Sequence, residues 1–125
     1  MNSMHLARAA YGQPETPVRS NRQIEYDLFA RITKHLTEAG QARATDHPAF
    51  VKALHANLAL WRTLASDVAG SANGLPPKLR AQLFYLYEFT AEHSRKILAD
   101  GAGHAVLVDI NTAVMRGLRG EGDNL

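Results

Sequence analysis

The sequence contains no cysteine. Disulfide bonds, thiolate metal ligands and thiol nucleophiles are therefore excluded together. No apolar run approaches the roughly 20 residues of a membrane-spanning helix. The first residues also lack the basic segment and apolar core of a signal peptide. These absences predict a soluble protein of the cytoplasm that does not insert into membranes.

A strong net charge and catalytic motifs are missing as well. The chain has 14 Lys and Arg against 12 Asp and Glu, a formal charge of +2, which gives nucleic acid little attraction. None of the six His has the spacing of a di-iron or zinc motif on a helix. Walker loops and nucleophile elbows are absent too. We therefore expect no enzyme, no metal and no cofactor.

What the sequence does have is helical periodicity. The only tryptophan, Trp61, lies in a central segment where apolar residues recur at spacings of three and four, as on one face of a helix. This seam comprises Val51, Leu54, Leu58, Trp61, Ala65 and Val68. Because Phe50, Leu60 and Leu64 widen the seam beyond an ordinary amphipathic stripe, we expect this helix to be central.

Helix start and stop signals divide the chain into four main helices. Ser20 to Gln23 form a capping box, Asp46 is a good N-cap with Pro48 in the first turn, and glycine marks several helix ends. The predicted main helices run from Ser20 to Gly40, from Asp46 to Gly70, from Pro76-Pro77 to Gly101, and over about 104–118.

At 125 residues the chain predicts one helical domain. Short loops make neighbouring helices antiparallel, so the fold expected is an all-α compact antiparallel bundle of four main helices plus a short N-terminal helix at 4–11. Residues 1–19 form an N-terminal arm and 120–125 a frayed tail. On the third helix we expect a wide inward arc: Leu79, Leu83, Leu86, Tyr87, Phe89, Thr90, Ile97 and Leu98.

Several polar residues fall where structural roles are expected. Asn57 and His93 lie inside apolar arcs, so each should bond a backbone carbonyl or the other. Asp67 and Arg80 each oppose the dipole of their own helix. Across the short turn between them, they predict an ion pair that pins the hairpin.

Two secondary stripes lie outside the main core seams. One comprises Arg22, Tyr26, Phe29 and Thr33, and the other Val108, Asn111, Met115 and Leu118. They are either edges of the core or a groove for a partner's amphipathic helix, with aromatic and methionine anchors. In the second interpretation Met4 and Tyr11 of the arm close over the ligand.

Several segments, taken together, resemble the FlaF family of flagellar biosynthesis proteins of alphaproteobacteria. The resemblance runs in order over about residues 7–119. It is carried by Arg22-Gln23-Ile24-Glu25-Tyr26-Asp27-Leu28-Phe29, Asn57-x-x-Leu60-Trp61-x-x-Leu64-x-x-Asp67, Leu75-Pro76-x-x-Leu79-Arg80-Ala81, Phe89-x-x-x-His93 and Ile110-Asn111-x-Ala113-Val114-Met115-x-Gly117-Leu118.

The resemblance implies a cytoplasmic flagellin chaperone required for flagellin secretion through the type III export apparatus and coupled to post-transcriptional control of flagellin synthesis. The implied partner is flagellin, through its amphipathic terminal helices, with the export apparatus or the companion regulator FlbT as further partners. The family supplies no contact residues.

Two alternatives remain open. One is an RNA-binding regulator of flagellin messenger RNA that uses Arg8, Arg19, Arg22, Arg116 and Arg119, whose binding should weaken steeply with salt. The other is a structural module whose apolar stripes pair in a homodimer.

Overall fold

The computed structural model describes residues 21–70 and 73–118 of the chain. Four helices cover most of them: α1 (Asn21–Gln41), α2 (His47–Ala69), α3 (Pro77–Asp100) and α4 (Ala105–Leu118). No strand occurs in these residues. The expected all-α fold with four main helices is therefore confirmed. The short helix at 4–11, the arm at 1–19 and the tail at 120–125 lie outside the described residues.

Local chemistry sets the helix ends, largely where the sequence indicates. The Asp46 carboxylate accepts a hydrogen bond from the Ala49 N–H at 3.2 Å, as an N-cap does. Gly101 ends α3 in the left-handed region at φ 73°, and its N–H bonds the Ile97 carbonyl. A side chain with a Cβ would be strained at that position.

Gly40 has a different role from the helix stop that the sequence suggests. It lies within α1, and a Cβ there would collide with the imidazole of His104. His104 in turn packs edge-on against Phe50, with ring centroids 5.6 Å apart. The glycine therefore provides space rather than a special φ, because α1 must approach the start of α4 closely.

The side-chain contacts show that neighbouring helices run antiparallel. Gly40 faces His104, whereas Thr33, seven residues earlier, bonds Asn111, seven residues later. The α1–α2 and α3–α4 connections therefore lie at one end of the bundle, which we call the closed end. Asn21, the α2–α3 connection and Leu118 lie at the opposite end, which we call the open end.

The core consists of two apolar clusters, one toward each end. The closed-end cluster contains six buried residues: Leu36, Phe50, Ala53, Leu54, Ile97 and Leu107. The open-end cluster contains Phe29, Leu60 and Trp61. Trp61 is completely buried and meets Phe29 edge to face at 5.8 Å, a favourable aromatic geometry. Its central position agrees with the expectation from the sequence.

A polar layer separates the two clusters. It consists of the buried polar residues of the described chain, and every helix contributes to it: Thr33, Asn57, Thr90, Ser94 and Asn111. The helices are not packed equally. α1 packs against α2 and α4, whereas α3 packs extensively against α2 alone among the described helices. α3 is therefore the peripheral helix of the bundle.

Candidate functional site

Asn111 is the centre of the polar layer. Its amide oxygen accepts a hydrogen bond from the Trp61 indole N–H at 2.8 Å. Its Nδ2 donates to Thr33 Oγ1 at 3.0 Å and to Asn57 Oδ1 at 2.7 Å. One side chain of α4 thus joins α1 and α2 from inside the bundle.

This arrangement overturns the predicted partner groove on α1 and α4. Phe29 is 1% exposed and Asn111 is 1% exposed, so neither is on the surface that a partner would contact. The two secondary stripes are core edges, because α1 and α4 pack on each other and bury the faces that a single-helix projection leaves outside.

The other residues predicted to bind a partner fall into two groups. Val108 packs against the closed-end cluster and Met115 against the open-end cluster, each only partly buried. Tyr26 is half-buried and has an interaction partner. The side chain of Arg22, and the arm residues Met4 and Tyr11, lie outside what the structure describes.

The structural roles predicted for Asn57 and His93 are partly right. His93 Nε2 lies 2.7 Å from the Gly103 carbonyl oxygen, a backbone partner as expected. Asn57 bonds Asn111 instead of a carbonyl or His93, which corrects that prediction. Within the described chain, the Asn57 Nδ2 and Thr90 Oγ1 atoms are buried without a hydrogen-bond partner.

The predicted Asp67–Arg80 ion pair is wrong. Arg80 Nε donates to the Val68 carbonyl at 2.8 Å and Nη2 to the Gly70 carbonyl at 3.1 Å. Asp67 accepts from the Asn73 amide at 3.0 Å. Carbonyls at a helix C-terminus lack intrahelical partners, so Arg80 compensates the end of α2 directly.

The surplus apolar surface lies on the first half of α3. None of residues 77–89 is buried. Leu79 is 39% exposed, Phe84 36% and Tyr85 64%. The expected inward arc of this helix is therefore wrong at Leu79 and also at Leu98, which is 43% exposed. Leu79 and Leu98 are both exposed because α3 lies at the periphery of the bundle, where α2 covers only one of its sides.

The first half of α3 has apolar residues on opposite sides, interspersed with the polar residues Lys78, Arg80, Gln82 and Glu88. At 100° per residue, Leu79 and Leu83 point to one side, whereas Ala81 and Tyr85 point to the other. Apolar residues on more than one side are typical of a helix with several packing partners. Among the described helices α3 packs extensively against α2 alone, so the described residues leave part of this apolar surface uncovered.

The core beside this stretch is also incompletely covered. At the open end, partly buried residues surround only three buried ones: Leu28, Ile32, Leu64, Leu83, Leu86, Tyr87, Ile110, Val114, Met115 and Leu118. In the closed-end cluster, by contrast, six residues are buried and only four apolar residues packed against them are partly buried. We call the exposed half of α3 together with this half-covered core the open apolar face.

A shallow groove of about 330 Å³ lies on the outer side of this region, between the end of α2 and the start of α3. Its walls are Val68, Ala69, Pro77, Ala81 and Phe84, and Arg80 also lines it. Apolar walls with a single cation suit an apolar side chain accompanied by a negative charge. They hold no arrangement for acid–base or nucleophilic chemistry.

Sequence reasoning missed the open apolar face, although a signal for it existed. Residues 83–87 read Leu-Phe-Tyr-Leu-Tyr, an unbroken apolar run on a helix. On the sequence alone, the width of this arc predicts burial. Width alone does not tell how many neighbours a helix has.

Within the described residues, no group of three or more His, Cys, Asp or Glu side chains could hold a metal ion. No helix among them is both long and apolar enough to cross a membrane.

A family model described as "Flagellar protein FlaF" matches residues 7–118, which is most of the chain. Neither the curated proteins nor the solved structures contain a match to it.

Proposed function

We propose, since the chain belongs to the FlaF family of flagellar proteins, that it is a cytoplasmic chaperone that binds flagellin and permits its secretion. In this proposal it acts by binding alone, without catalysis. Its occupancy by flagellin also couples secretion to post-transcriptional control of flagellin synthesis.

The observation that carries the proposal is the apolar first half of α3. A helix with apolar residues on more than one side and no buried residue over 77–89 leaves apolar area in water, and covering that area is favourable by about 25 cal/mol per Å². An amphipathic helix from a client provides such a cover. Unassembled flagellin offers helices of this kind at its termini, as the family resemblance implies.

The half-covered core extends the binding surface. A client helix that lies along α3 at the open end would also contact the partly buried residues of the open-end cluster, such as Met115 on α4. Methionine adapts its shape to varied apolar partners. A chaperone that covers these client faces would prevent premature flagellin polymerisation.

The coupling to flagellin synthesis follows from mass action. When free flagellin is abundant, the open apolar face is occupied, and when flagellin has been exported the face is vacant. The ratio of vacant to occupied chaperone therefore reports unexported flagellin, and a regulator that distinguishes the two forms converts this ratio into control of synthesis. FlbT and the export apparatus are the proposed further partners.

The test is binding of flagellin monomers to the full chain by calorimetry. A variant with Leu79→Ser, Phe84→Ser and Tyr85→Ser should bind at least about tenfold more weakly. Because Leu79 and Phe84 are only 39% and 36% exposed, its unfolding temperature should fall, and binding is measured at a temperature where circular dichroism shows the variant to be folded. The matched control replaces exposed residues of α2, with Lys52→Ser, His55→Ser and Ala59→Ser. Equal affinity of both variants would rule out this face.

Salt dependence separates this function from the RNA-binding alternative. Binding through apolar contacts changes little with ionic strength, whereas phosphate contacts weaken steeply. Of the arginines assigned to RNA, the structure describes the side chain of Arg116 alone, which is exposed. Flagellin messenger RNA that binds more tightly than flagellin at low salt, and is released at high salt, would favour the alternative.

A further inference from the structure

The cation in the groove, Arg80, has no carboxylate partner among the residues that the structure describes. Arg80 uses Nε and Nη2 on the carbonyls of Val68 and Gly70. Its Nη1 has no hydrogen-bond partner within the described residues, although a guanidinium offers five N–H donors in a planar fork. The nearby carboxylate of Asp67 is engaged by Asn73.

The backbone adds positive potential at the same place. α3 begins at Pro77 behind Pro76, which provides no side-chain cap, and its first turn has no acidic residue. The N-terminal end of a helix is equivalent to about half a positive charge. The end of α2 contributes the opposite partial charge, which Arg80 already meets through the carbonyls of Val68 and Gly70. The groove therefore combines a partly unsatisfied guanidinium with apolar walls, between two helix ends whose dipoles oppose each other.

We propose that this groove selects the client segment by an acidic residue next to an apolar anchor. The anchor is an apolar side chain in the space between Val68, Pro77 and Phe84. The carboxylate belongs to an Asp or Glu three or four positions away on the client helix, where side chains share a face, and it accepts hydrogen bonds from Arg80. This inference rests on the proposed function and names the chemistry of the segment that the protein recognises.

Charge complementarity makes this occupant fit better than a plain apolar helix. An apolar residue alone would leave the Arg80 donors partly desolvated and unpaired, which is unfavourable. A basic residue at the same position would be repelled by Arg80 and by the exposed Lys78. A carboxylate instead forms charge-assisted hydrogen bonds, which are stronger than neutral ones.

The test avoids replacing Arg80, because that side chain also caps α2. Ala81 is exposed and lies in the groove, near the start of α3, where a glutamate suits the helix dipole. The variant Ala81→Glu should therefore fold, and its carboxylate should add a negative charge to the groove, which repels a carboxylate of the client. Ala81→Gln has the same size without the charge, and Ala59→Glu makes the same change on an exposed position of α2.

The probes are synthetic peptides that cover the two terminal helices of flagellin. Each is made in native form and with its Asp and Glu replaced by Asn and Gln. The peptide that binds the unchanged protein should lose about tenfold in affinity in its amide form. Ala81→Glu should weaken native-peptide binding well beyond Ala81→Gln, and Ala59→Glu should have no effect.

An amide peptide that binds as tightly as the native one, or an Ala81→Glu variant no weaker than Ala81→Gln, would overturn the acidic selection while leaving flagellin binding intact. If neither full-length flagellin nor any of its peptides binds the unchanged protein, the proposed function itself fails, and this inference fails with it.

Discussion

Asn111 shows how much one buried amide contributes to the specificity of this core. Its three hydrogen bonds reach Trp61, Thr33 and Asn57, and all four side chains are at most 6% exposed. Buried polar groups fix one arrangement of neighbours, because any other leaves donors unpaired. The polar layer therefore sets the register of α4 against α1 and α2.

Asn111→Ala should destabilise the fold by about 3 kcal/mol, since it leaves the Trp61 indole N–H unpaired and opens a cavity. Urea denaturation measures the effect. Asp109→Ala, at an exposed position on the same helix, is the control and should change stability by less than about 0.5 kcal/mol. A loss below about 1 kcal/mol for Asn111→Ala would mean that water replaces the amide.

At the same scale, the sequence identified which residues are unusual better than it identified their partners. Asp67 and Arg80 are indeed at helix ends that disfavour their charges. The charge rule leaves open whether a second charge or a row of free carbonyls relieves the conflict. In the structure Arg80 donates hydrogen bonds to the carbonyls of Val68 and Gly70, because these carbonyls lie at the end of α2 within reach of the guanidinium.

At the scale of elements, the α3–α4 connection is held by contacts around one histidine. His104 packs against Phe50 and occupies the space that Gly40 leaves, while Arg43 donates to the Ala102 carbonyl at 3.2 Å. Burial, and secondly the Arg43 charge, hold the pKa of His104 below its ordinary value of 6.5. Both causes disfavour the protonated imidazole.

The lowered pKa predicts the direction of a pH effect. Because the unfolded chain takes up the His104 proton more readily than the folded one, the free energy of unfolding decreases as the pH falls through 6.5, and levels off below the lowered pKa. Thermal unfolding of the wild type and of His104→Asn between about pH 8 and about pH 5 tests this. The wild type should lose more stability over this range, and equal losses would contradict the prediction.

Helix ends were largely predictable because they depend on local chemistry. The Asp46 cap and the left-handed Gly101 need only their own neighbours. The open apolar face was not predictable in the same way. The exposure of α3 depends on how many helices surround it, which is a property of the assembled bundle. For the same reason the sequence leaves open whether the stripes of α1 and α4 are core edges or a partner groove.

At the scale of the whole molecule, the bundle is closed at one end and open at the other. The closed-end cluster is shielded by buried residues from all four helices. The open-end cluster has mostly partly buried members. Local stability follows buried apolar contacts, so the two ends should differ in how readily they unfold locally.

Amide hydrogen exchange should detect this difference. We expect residues 77–89 of α3 to exchange faster than residues 90–100 of the same helix, which serve as the internal control. Adding flagellin should slow exchange in 77–89 and leave 90–100 nearly unchanged. Slowing produced by raising the concentration of the protein alone would show instead that a second copy covers the face, as in a homodimer.

The positions of the first and last described residues matter for anyone who labels this protein. Asn21 and Leu118 both lie at the open end, so a fluorescent protein or purification handle joined directly to either residue would be attached on the side of the proposed client. The turn at residues 42–46, at the opposite pole, is the better place for a probe. A reporter inserted there could follow the proposed binding of flagellin without competing for the same space.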